Sequence, residues 1–231
     1  MKNFLIFIFL SFLAFSCNYK QGLEDGKETI SSKTENIKSE QKIDKLFSIE
    51  GLETPESFIY DSKTEKFFIS NIVGKSADKD GNGYITRLTK DGKMDIKQFI
   101  IGLNAPKGMA ILDDVLYVAD IDSIFGYDPK TGKKMFEQII EGSQFLNDIA
   151  ACNNMLYVSD TYNNLIHKII PSKKEISVFS SEVIKPNGLA INKLNNNLTV
   201  AGWGKNLLAN LDENGKITSK IEGKWENLDG I

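Results

Sequence analysis

The chain has 231 residues, 41% of them hydrophobic and 26% charged, a composition typical of a globular protein with one domain. Its formal charge is −3, from 28 basic and 31 acidic residues. This balance argues against a broad electrostatic surface for nucleic acid, so we expect no nucleic-acid partner. Two cysteines are too few for a disulfide-stapled scaffold, and a single histidine excludes a histidine-rich metal site.

The first predicted element is a lipoprotein signal peptide over residues 1–16. Met1-Lys2-Asn3 precede an apolar run from Phe4 to Phe15 that only Ser11 interrupts. Such a run is shorter than the roughly 20 residues that a membrane-spanning helix needs, and the pattern is that of a secretory signal. The segment Leu13–Cys17 resembles a bacterial lipobox, in which the cysteine carries the lipid. A plain signal peptide with an incidental cysteine is the alternative.

Lipidation of Cys17 implies a protein of the bacterial cell envelope that is held to a membrane by an N-terminal lipid anchor. Residues 17–44 are rich in Lys, Glu, Ser, Gln and Asn and contain hardly an aromatic residue. Such a composition cannot bury enough apolar surface to offset its ordering entropy, so we predict a flexible tether. The folded domain is then expected over residues 45–231.

An internal repeat organises this domain. An opening phrase recurs at intervals of 51, 40, 40 and 42 residues: Pro55–Phe58, Pro106–Met109, Leu146–Ile149, Pro186–Leu189 and Leu228–Ile231. A second apolar phrase follows about ten residues later in four of them: Phe67–Asn71, Leu116–Asp120, Leu156–Asp160 and Leu198–Gly202. A third and a fourth apolar run, joined by glycine-containing turns, complete each unit. Four short strands per unit of about 40 residues are typical of a β-propeller blade. We predict an all-β propeller with about four complete blades and the start of a fifth.

A polar residue stands at the second position of every opening phrase: Glu56, Lys107, Asn147, Asn187 and Asp229. Because the first strand of each blade lines the central channel of a propeller, we expect these side chains to converge near the axis. Carboxylate and amide oxygens together suit a hard cation such as Ca²⁺, Mg²⁺ or Mn²⁺. A polar, water-filled channel without a metal is the alternative.

The same phrases resemble a known family. Glu56-Ser57, Asn147-Asp148, Pro186–Leu189 and Asp229-Gly230 look like motifs of the senescence marker protein, gluconolactonase and luciferin-regenerating enzyme family. Members of that family are six-bladed propellers with one divalent cation in the channel. The resemblance covers roughly Leu46–Ile231.

The resemblance implies a metal site and a reaction. Glu56, Asn187 and Asp229 match the family's ligands for one divalent cation (Ca²⁺, Mg²⁺, Mn²⁺ or Zn²⁺). Asn147 matches a polar residue near the substrate, and Asp229 also matches the acid proposed as the general base. The implied function is hydrolysis of a small lactone or ester, in which the metal polarises the carbonyl and activates water.

Two departures from the family bear on the substrate. Sugar-lactonase members carry an arginine two residues before the asparagine that matches Asn147, and this chain has Phe145 there. Lys107 adds a cation to the ring, which could repel a metal or bind an anionic substrate, and we assign it to substrate binding together with Asn147. The alternative function is a non-catalytic ligand-binding or scaffolding propeller lipoprotein.

The length of the domain leads to one further expectation. Six blades of about 41 residues would need about 246 residues, whereas residues 45–231 provide 187. We therefore expect a C-terminally truncated propeller that forms an open arc. The segment Lys45–Gly51 resembles a fourth strand, and we expect it to be a strand without its partners.

Two other motifs are interpreted as structural. Asp78–Ile85 copies the first half of a calcium-binding loop, but Thr89 stands where the bidentate glutamate should be, so we predict an extended hairpin loop. His167 lies in an alternating apolar segment without a second histidine, and we predict an ordinary strand residue.

Overall fold

A computed structural model describes residues 45–204 and 207–231 of the chain. The predicted signal peptide (1–16), the lipidation site Cys17 and the predicted tether (17–44) lie outside the described residues. Within the described ranges, no helix is long and apolar enough to cross a membrane.

The described chain forms four antiparallel sheets of four strands each, and this confirms the predicted all-β propeller fold. Each sheet is one blade, with its strands in chain order. Blade 1 contains β1 (Pro55–Asp61), β2 (Lys66–Asn71), β3 (Gly83–Thr89) and β4 (Met94–Leu103). Blade 2 contains β5 (Pro106–Leu112), β6 (Val115–Asp120), β7 (Ser123–Tyr127) and β8 (Lys134–Ile139).

Blades 3 and 4 repeat this order. Blade 3 contains β9 (Leu146–Cys152), β10 (Met155–Asp160), β11 (Leu165–Ile170) and β12 (Glu175–Ser180). Blade 4 contains β13 (Pro186–Ile191), β14 (Leu198–Gly202), β15 (Leu207–Leu211) and β16 (Ile217–Glu222). A single turn of 3-10 helix, Pro171–Lys173, joins β11 to β12.

Tight turns fix the register of these hairpins. Asp113-Asp114 and Asn153-Asn154 are two-residue loops in which both residues have φ between 49° and 63°. Both central residues of a type I′ turn need a positive φ, and Asp and Asn tolerate it well. Gly92, with φ of 76°, supplies the left-handed residue of the β3–β4 turn. The local sequence at the turns therefore determines where each strand reverses.

The hydrophobic core lies between the blades, because each sheet buries one face against the next blade. Phe68, Leu116 and Tyr127 belong to the cluster between blades 1 and 2. Tyr117 and Leu156 belong to the cluster between blades 2 and 3, and a third cluster of the same kind joins blades 3 and 4. Each blade is thus stabilised mainly by burying apolar area against its neighbours in the arc.

The segment before blade 1 differs from its prediction. Residues 45–50 form no strand. Phe47, Ile49 and Leu52 instead pack against the apolar cluster of Phe67, Ile69 and Leu88 on the outward face of blade 1. A strand requires a hydrogen-bonding partner at its edge, whereas this apolar segment gains more from covering an exposed sheet face. The prediction of a strand at Leu46–Glu50 was wrong.

The two remaining motifs lie in the loop and in the strand that were predicted for them. The calcium-like motif lies in the loop that connects β2 to β3, with Gly83 and the residues after it already in β3. His167 lies in β11 and is buried. Its Nε2 is 3.2 Å from Oδ2 of Asp160, a contact that the sequence did not indicate.

Candidate functional site

The first strands of the four blades, β1, β5, β9 and β13, pack side by side in that order. Each carries a β-bulge at the same place, where two of its residues oppose one residue of the second strand. The bulged pairs are Glu56-Ser57, Lys107-Gly108, Asn147-Asp148 and Asn187-Gly188. Because a bulge turns side chains away from regular alternation, it directs these residues toward the channel.

Two cavities meet at these bulges. The first, of about 450 Å³, includes Asp148 and the terminal residues Gly230 and Ile231 in its wall, and we call it the acidic cavity. The second, of about 460 Å³, is lined by Lys107 and by three aromatic rings, and we call it the aromatic cavity. Four residues line both cavities: Glu56, Asn147, Asn187 and Asp229. The structure therefore brings all the site residues predicted for the domain to one place.

The side-chain oxygen of Asn187 is a buried hydrogen-bond acceptor that lines this site. The residue is 3% exposed, and its Oδ1 atom has no hydrogen-bond partner among the described residues. Its side-chain amide lies near enough to the Asp229 carboxylate to lower the pKa of that group. A buried amide oxygen without a partner costs about 1–3 kcal/mol relative to a satisfied one, so the site has a place for a donor or a cation.

The acidic residues lie close enough to disturb one another. Burial, together with the carboxylates of Asp229 and Asp148, raises the pKa of Glu56 to about 8, although Lys107 opposes the shift. Burial also raises the pKa of Asp148, to about 6, although the backbone N–H groups of Leu189 and Ile149 lower it. Burial raises the pKa of Asp229 as well. Three crowded carboxyl groups of this kind are stabilised in their charged form by a bound cation.

Carboxylates alone do not complete a metal site. In residues 45–204 and 207–231, no group of three or more His, Cys, Asp or Glu side chains is arranged to hold a metal ion. A cation at this position therefore depends on the amide oxygen of Asn187 in addition to Glu56 and Asp229. Amide and carboxylate oxygens are both normal ligands for Ca²⁺ and related hard cations.

Lys107 is buried at the floor of the aromatic cavity. It is 1% exposed, its Nζ donates to the carbonyl oxygen of Ala105 at 2.9 Å, and Nζ lies 4.5 Å from the ring centre of Phe145. Burial lowers its pKa to about 8, while Glu56 and Asp120 raise it. No carboxylate oxygen of the described chain lies within 4.0 Å of Nζ, so the ammonium is buried without an ion-pair partner.

The aromatic wall of the cavity was not predicted from the sequence. Phe145 and Tyr162 stack with ring centres 4.4 Å apart and planes 23° apart, and Trp203 lines the same cavity. Tyr162 and Trp203 lie just after the ends of β10 and β14, where the blades no longer share a repeated sequence. The one signal for this wall in the sequence was Phe145, because it stands where sugar-lactonase members of the family that the chain resembles carry an arginine.

A buried acid at the end of β6 and a buried hydroxyl group just after β10 hold the channel loops in place. Asp120 accepts hydrogen bonds from the backbone N–H groups of Asn104 and Ala105, at 2.8 and 2.7 Å. It thereby fixes the turn that leads into the bulge of Lys107. Thr161, which follows β10, donates from Oγ1 to the carbonyl oxygen of Pro186 at 2.7 Å and links blade 3 to the start of β13.

Neither a family model nor a curated protein matches the chain, but solved β-propellers do. Virginiamycin B lyase from Staphylococcus aureus superposes with a TM-score of 0.57 and 16% identity, over 74% of this chain and 56% of that one. The Pan2 WD40 domain from Neurospora crassa gives 0.58 and 12%, over 74% and 50%. The computationally designed protein Ika8 gives 0.51 and 12%, over 80% and 67%. The chain spans about half the length of the first two structures, and at these identities the likeness establishes a β-propeller fold.

Proposed function

We propose that this propeller binds one divalent cation in its channel and hydrolyses a small lactone or ester. The observation that carries the proposal is the buried, unpartnered Oδ1 atom of Asn187, which lines the same cavities as Glu56 and Asp229. These three residues would hold the cation. They are also the positions that resemble the ligands of the senescence marker protein and gluconolactonase family.

The residues of the site have distinct roles in this proposal. When bound, the cation supplies Lewis-acid polarisation of the ester carbonyl. Asp229, whose pKa burial raises above its ordinary value, accepts a proton from the attacking water. The hydroxyl of that water joins the acyl carbon, the acyl C–O bond breaks, and the proton passes to the leaving oxygen. Asn147, which is buried between the two cavities, orients the substrate.

Metal binding is tested by calorimetry with Mn²⁺ and Ca²⁺ on the full chain. Asn187→Ala and Glu56→Gln should each weaken binding at least tenfold, because the first removes a ligand oxygen and the second removes the negative charge of a ligand. Glu65→Gln is the matched control, since Glu65 is exposed and pairs with Lys90. Unchanged affinity in both site variants, measured on folded protein, refutes the metal assignment.

The reaction is tested separately with a panel of lactones and aryl esters in the presence of Ca²⁺, Mn²⁺ and Zn²⁺. Turnover that Asp229→Asn abolishes even at metal concentrations that saturate the variant in calorimetry supports Asp229 as the general base. The second candidate function is a non-catalytic ligand-binding propeller, favoured by the buried cation of Lys107 in the channel. Metal binding without turnover of any substrate in the panel would select that second function.

We also propose that the protein is a lipoprotein of the bacterial envelope, anchored through Cys17. The support for this proposal is the lipobox-like segment Leu13–Cys17 after a short apolar run. In cells grown with a labelled fatty acid, the protein should carry the label and sediment with membranes, and Cys17→Ser should lose both properties. A labelled Cys17→Ser variant contradicts the proposal.

A further inference from the structure

The aromatic cavity has features that hydrolysis of a neutral lactone does not require. It combines three aromatic rings, those of Phe145, Tyr162 and Trp203, with the buried ammonium of Lys107. Lys185, at the same cavity, adds a second cation. Glu56 and Asp229 also line this cavity, but the proposed cation occupies their carboxylates. Planar apolar walls next to the remaining positive charge then form a site for a ligand that is both aromatic and anionic.

The ammonium of Lys107 has no ion-pair partner in the part of the chain that the structure describes. Its ammonium group has three donors and uses one of them, toward the carbonyl oxygen of Ala105. Of the two acids that act on it electrostatically, Asp120 already accepts two backbone hydrogen bonds and Glu56 belongs to the proposed cation site. Since burial of an unpaired ammonium is costly, the remaining donors of Lys107 are available to a ligand anion.

One ring of the aromatic wall is held by contacts within the protein, and a second is accessible to a ligand. Phe145 has the ammonium of Lys107 4.5 Å from its ring centre and is itself stacked with Tyr162. Tyr162 lines the cavity and is 57% exposed, so much of its surface is accessible. An exposed aromatic side chain stacked on a second ring offers a preorganised surface for a planar ligand, because little rotamer entropy remains to be lost.

We propose that the aromatic cavity binds an aromatic carboxylate, with the carboxylate on Lys107 and the ring against Tyr162 and Trp203. A role of this ligand as a substrate rests on the proposed hydrolase function. The preferred substrates are then aromatic lactones or esters that carry a carboxylate group. Binding of the aromatic carboxylate itself does not require hydrolysis.

Three probes separate the contribution of the aromatic ring from that of the negative charge. 2-Naphthoate has the ring and the charge, 2-naphthamide has the ring without the charge, and cyclohexanecarboxylate has the charge without an aromatic ring. Calorimetry on the full chain, with and without Mn²⁺, should show 2-naphthoate binding at least tenfold tighter than either other probe. Equal binding of 2-naphthoate and 2-naphthamide, or no binding of 2-naphthoate, overturns the proposal.

Variants then assign the contacts. Lys107→Met, which keeps the length of the side chain, should weaken 2-naphthoate at least tenfold and leave 2-naphthamide within twofold. Lys173→Met is the matched control, because Lys173 is 62% exposed on the 3-10 helix. Tyr162→Leu, at a position that is 57% exposed, should weaken both naphthalene probes. If 2-naphthoate binds wild type and Lys107→Met equally, the assignment of the anion to Lys107 is wrong.

The outcomes distinguish this inference from the proposed function. Binding of 2-naphthoate without hydrolysis of any ester would leave the ligand class standing and refute the hydrolase. Hydrolysis of neutral aliphatic lactones by a protein that does not bind 2-naphthoate would support the hydrolase and refute the ligand class.

Discussion

Asp160 shows how a single buried acid is kept ionised inside a blade. Its Oδ2 atom accepts hydrogen bonds from Ser143 at 2.6 Å and Asn163 at 2.9 Å and lies 3.2 Å from Nε2 of His167. Burial tends to raise the pKa of Asp160, but the hydrogen bonds from His167, Ser143 and Asn163 outweigh it, so the pKa lies below its ordinary value. The charged form of Asp160 therefore stabilises the folded state.

The sign of this shift predicts a loss of stability in acid. A carboxyl group whose pKa is lower in the folded state contributes stability above its unfolded pKa of about 4, and that contribution disappears as pH falls through the folded pKa. At pH 7, Asp160→Asn should lower the free energy of unfolding by about 1–3 kcal/mol, because it weakens a buried charged hydrogen-bond network. The deficit relative to wild type should shrink below pH 4.

Urea denaturation followed by circular dichroism at pH 7, 5, 4 and 3 measures this effect. Asp78→Asn, in the exposed β2–β3 loop, is the control and should match wild type at every pH. If Asp160→Asn lowers the free energy of unfolding by the same amount at pH 7 and pH 3, the loss of stability does not come from the carboxylate charge.

At the scale of the strand, the β-bulges explain how residues of one repeated phrase form a site. Gly188, the second bulged residue of β13, has no room for a side chain: a Cβ there would lie 2.1 Å from the backbone oxygen of Asp229. The close approach of Gly188 to this segment is what brings Asp229 to the same cavities as Asn187. The glycine is therefore required by the position of a neighbouring backbone.

Gly188→Ala should push the segment that carries Asp229 away from β13. We expect at least tenfold weaker Mn²⁺ binding in calorimetry, with a circular dichroism spectrum like that of wild type, because the segment that carries Asp229 belongs to none of the four sheets. Gly230→Ala is the matched control, since a Cβ at Gly230 has no neighbour within 4 Å. If both variants bind Mn²⁺ like wild type, Asp229 does not contribute to the cation site.

The strands could be predicted from the sequence, whereas the bulges and the aromatic wall could not. β14 (Leu198–Gly202) begins and ends where its apolar phrase does, because alternation and turn residues are local properties of the chain. The convergence of Asn147 and Asn187 followed from their equivalent places in the repeat. Stacking of Phe145 on Tyr162 depends on two loops brought together only by the fold, so no local pattern indicates it.

At the scale of the whole molecule, the two outward faces of the arc differ in chemistry. On blade 1, Phe47 covers Phe67, with ring centres 5.8 Å apart, and lies against Gly92. On blade 4, Thr199 occupies the place that aromatic residues hold in the other blades. Its Oγ1 donates to Oδ1 of Asn210, whose Nδ2 donates to Oγ of Ser219. One face is thus covered by an apolar segment and the other carries a row of hydrogen-bonded polar groups.

Phe47→Ser should uncover the apolar face of blade 1. We expect a free energy of unfolding lower by about 1–3 kcal/mol and increased binding of a hydrophobic dye, because Phe67 and its neighbours lose their cover. Light scattering coupled to size-exclusion chromatography should also detect self-association. Leu46→Ser is the adjacent control, since Leu46 is 74% exposed, and it should behave like wild type. Identical dye binding by both variants would contradict the role assigned to Phe47.

The arrangement of the first strands has a thermodynamic consequence for any ligand of the channel. β1 packs on β5, β5 on β9 and β9 on β13, and no comparable packing joins β13 back to β1 in the described part of the chain. Contacts arranged in this linear way couple only nearest neighbours, so the end blades can open independently of the middle ones. A ligand that touches both Glu56 and Asp229 would connect the first blade to the segment after the fourth. The ligand would link the two ends of the series of blades, so that each blade is coupled on both sides. It would thereby make the unfolding of all four blades more cooperative.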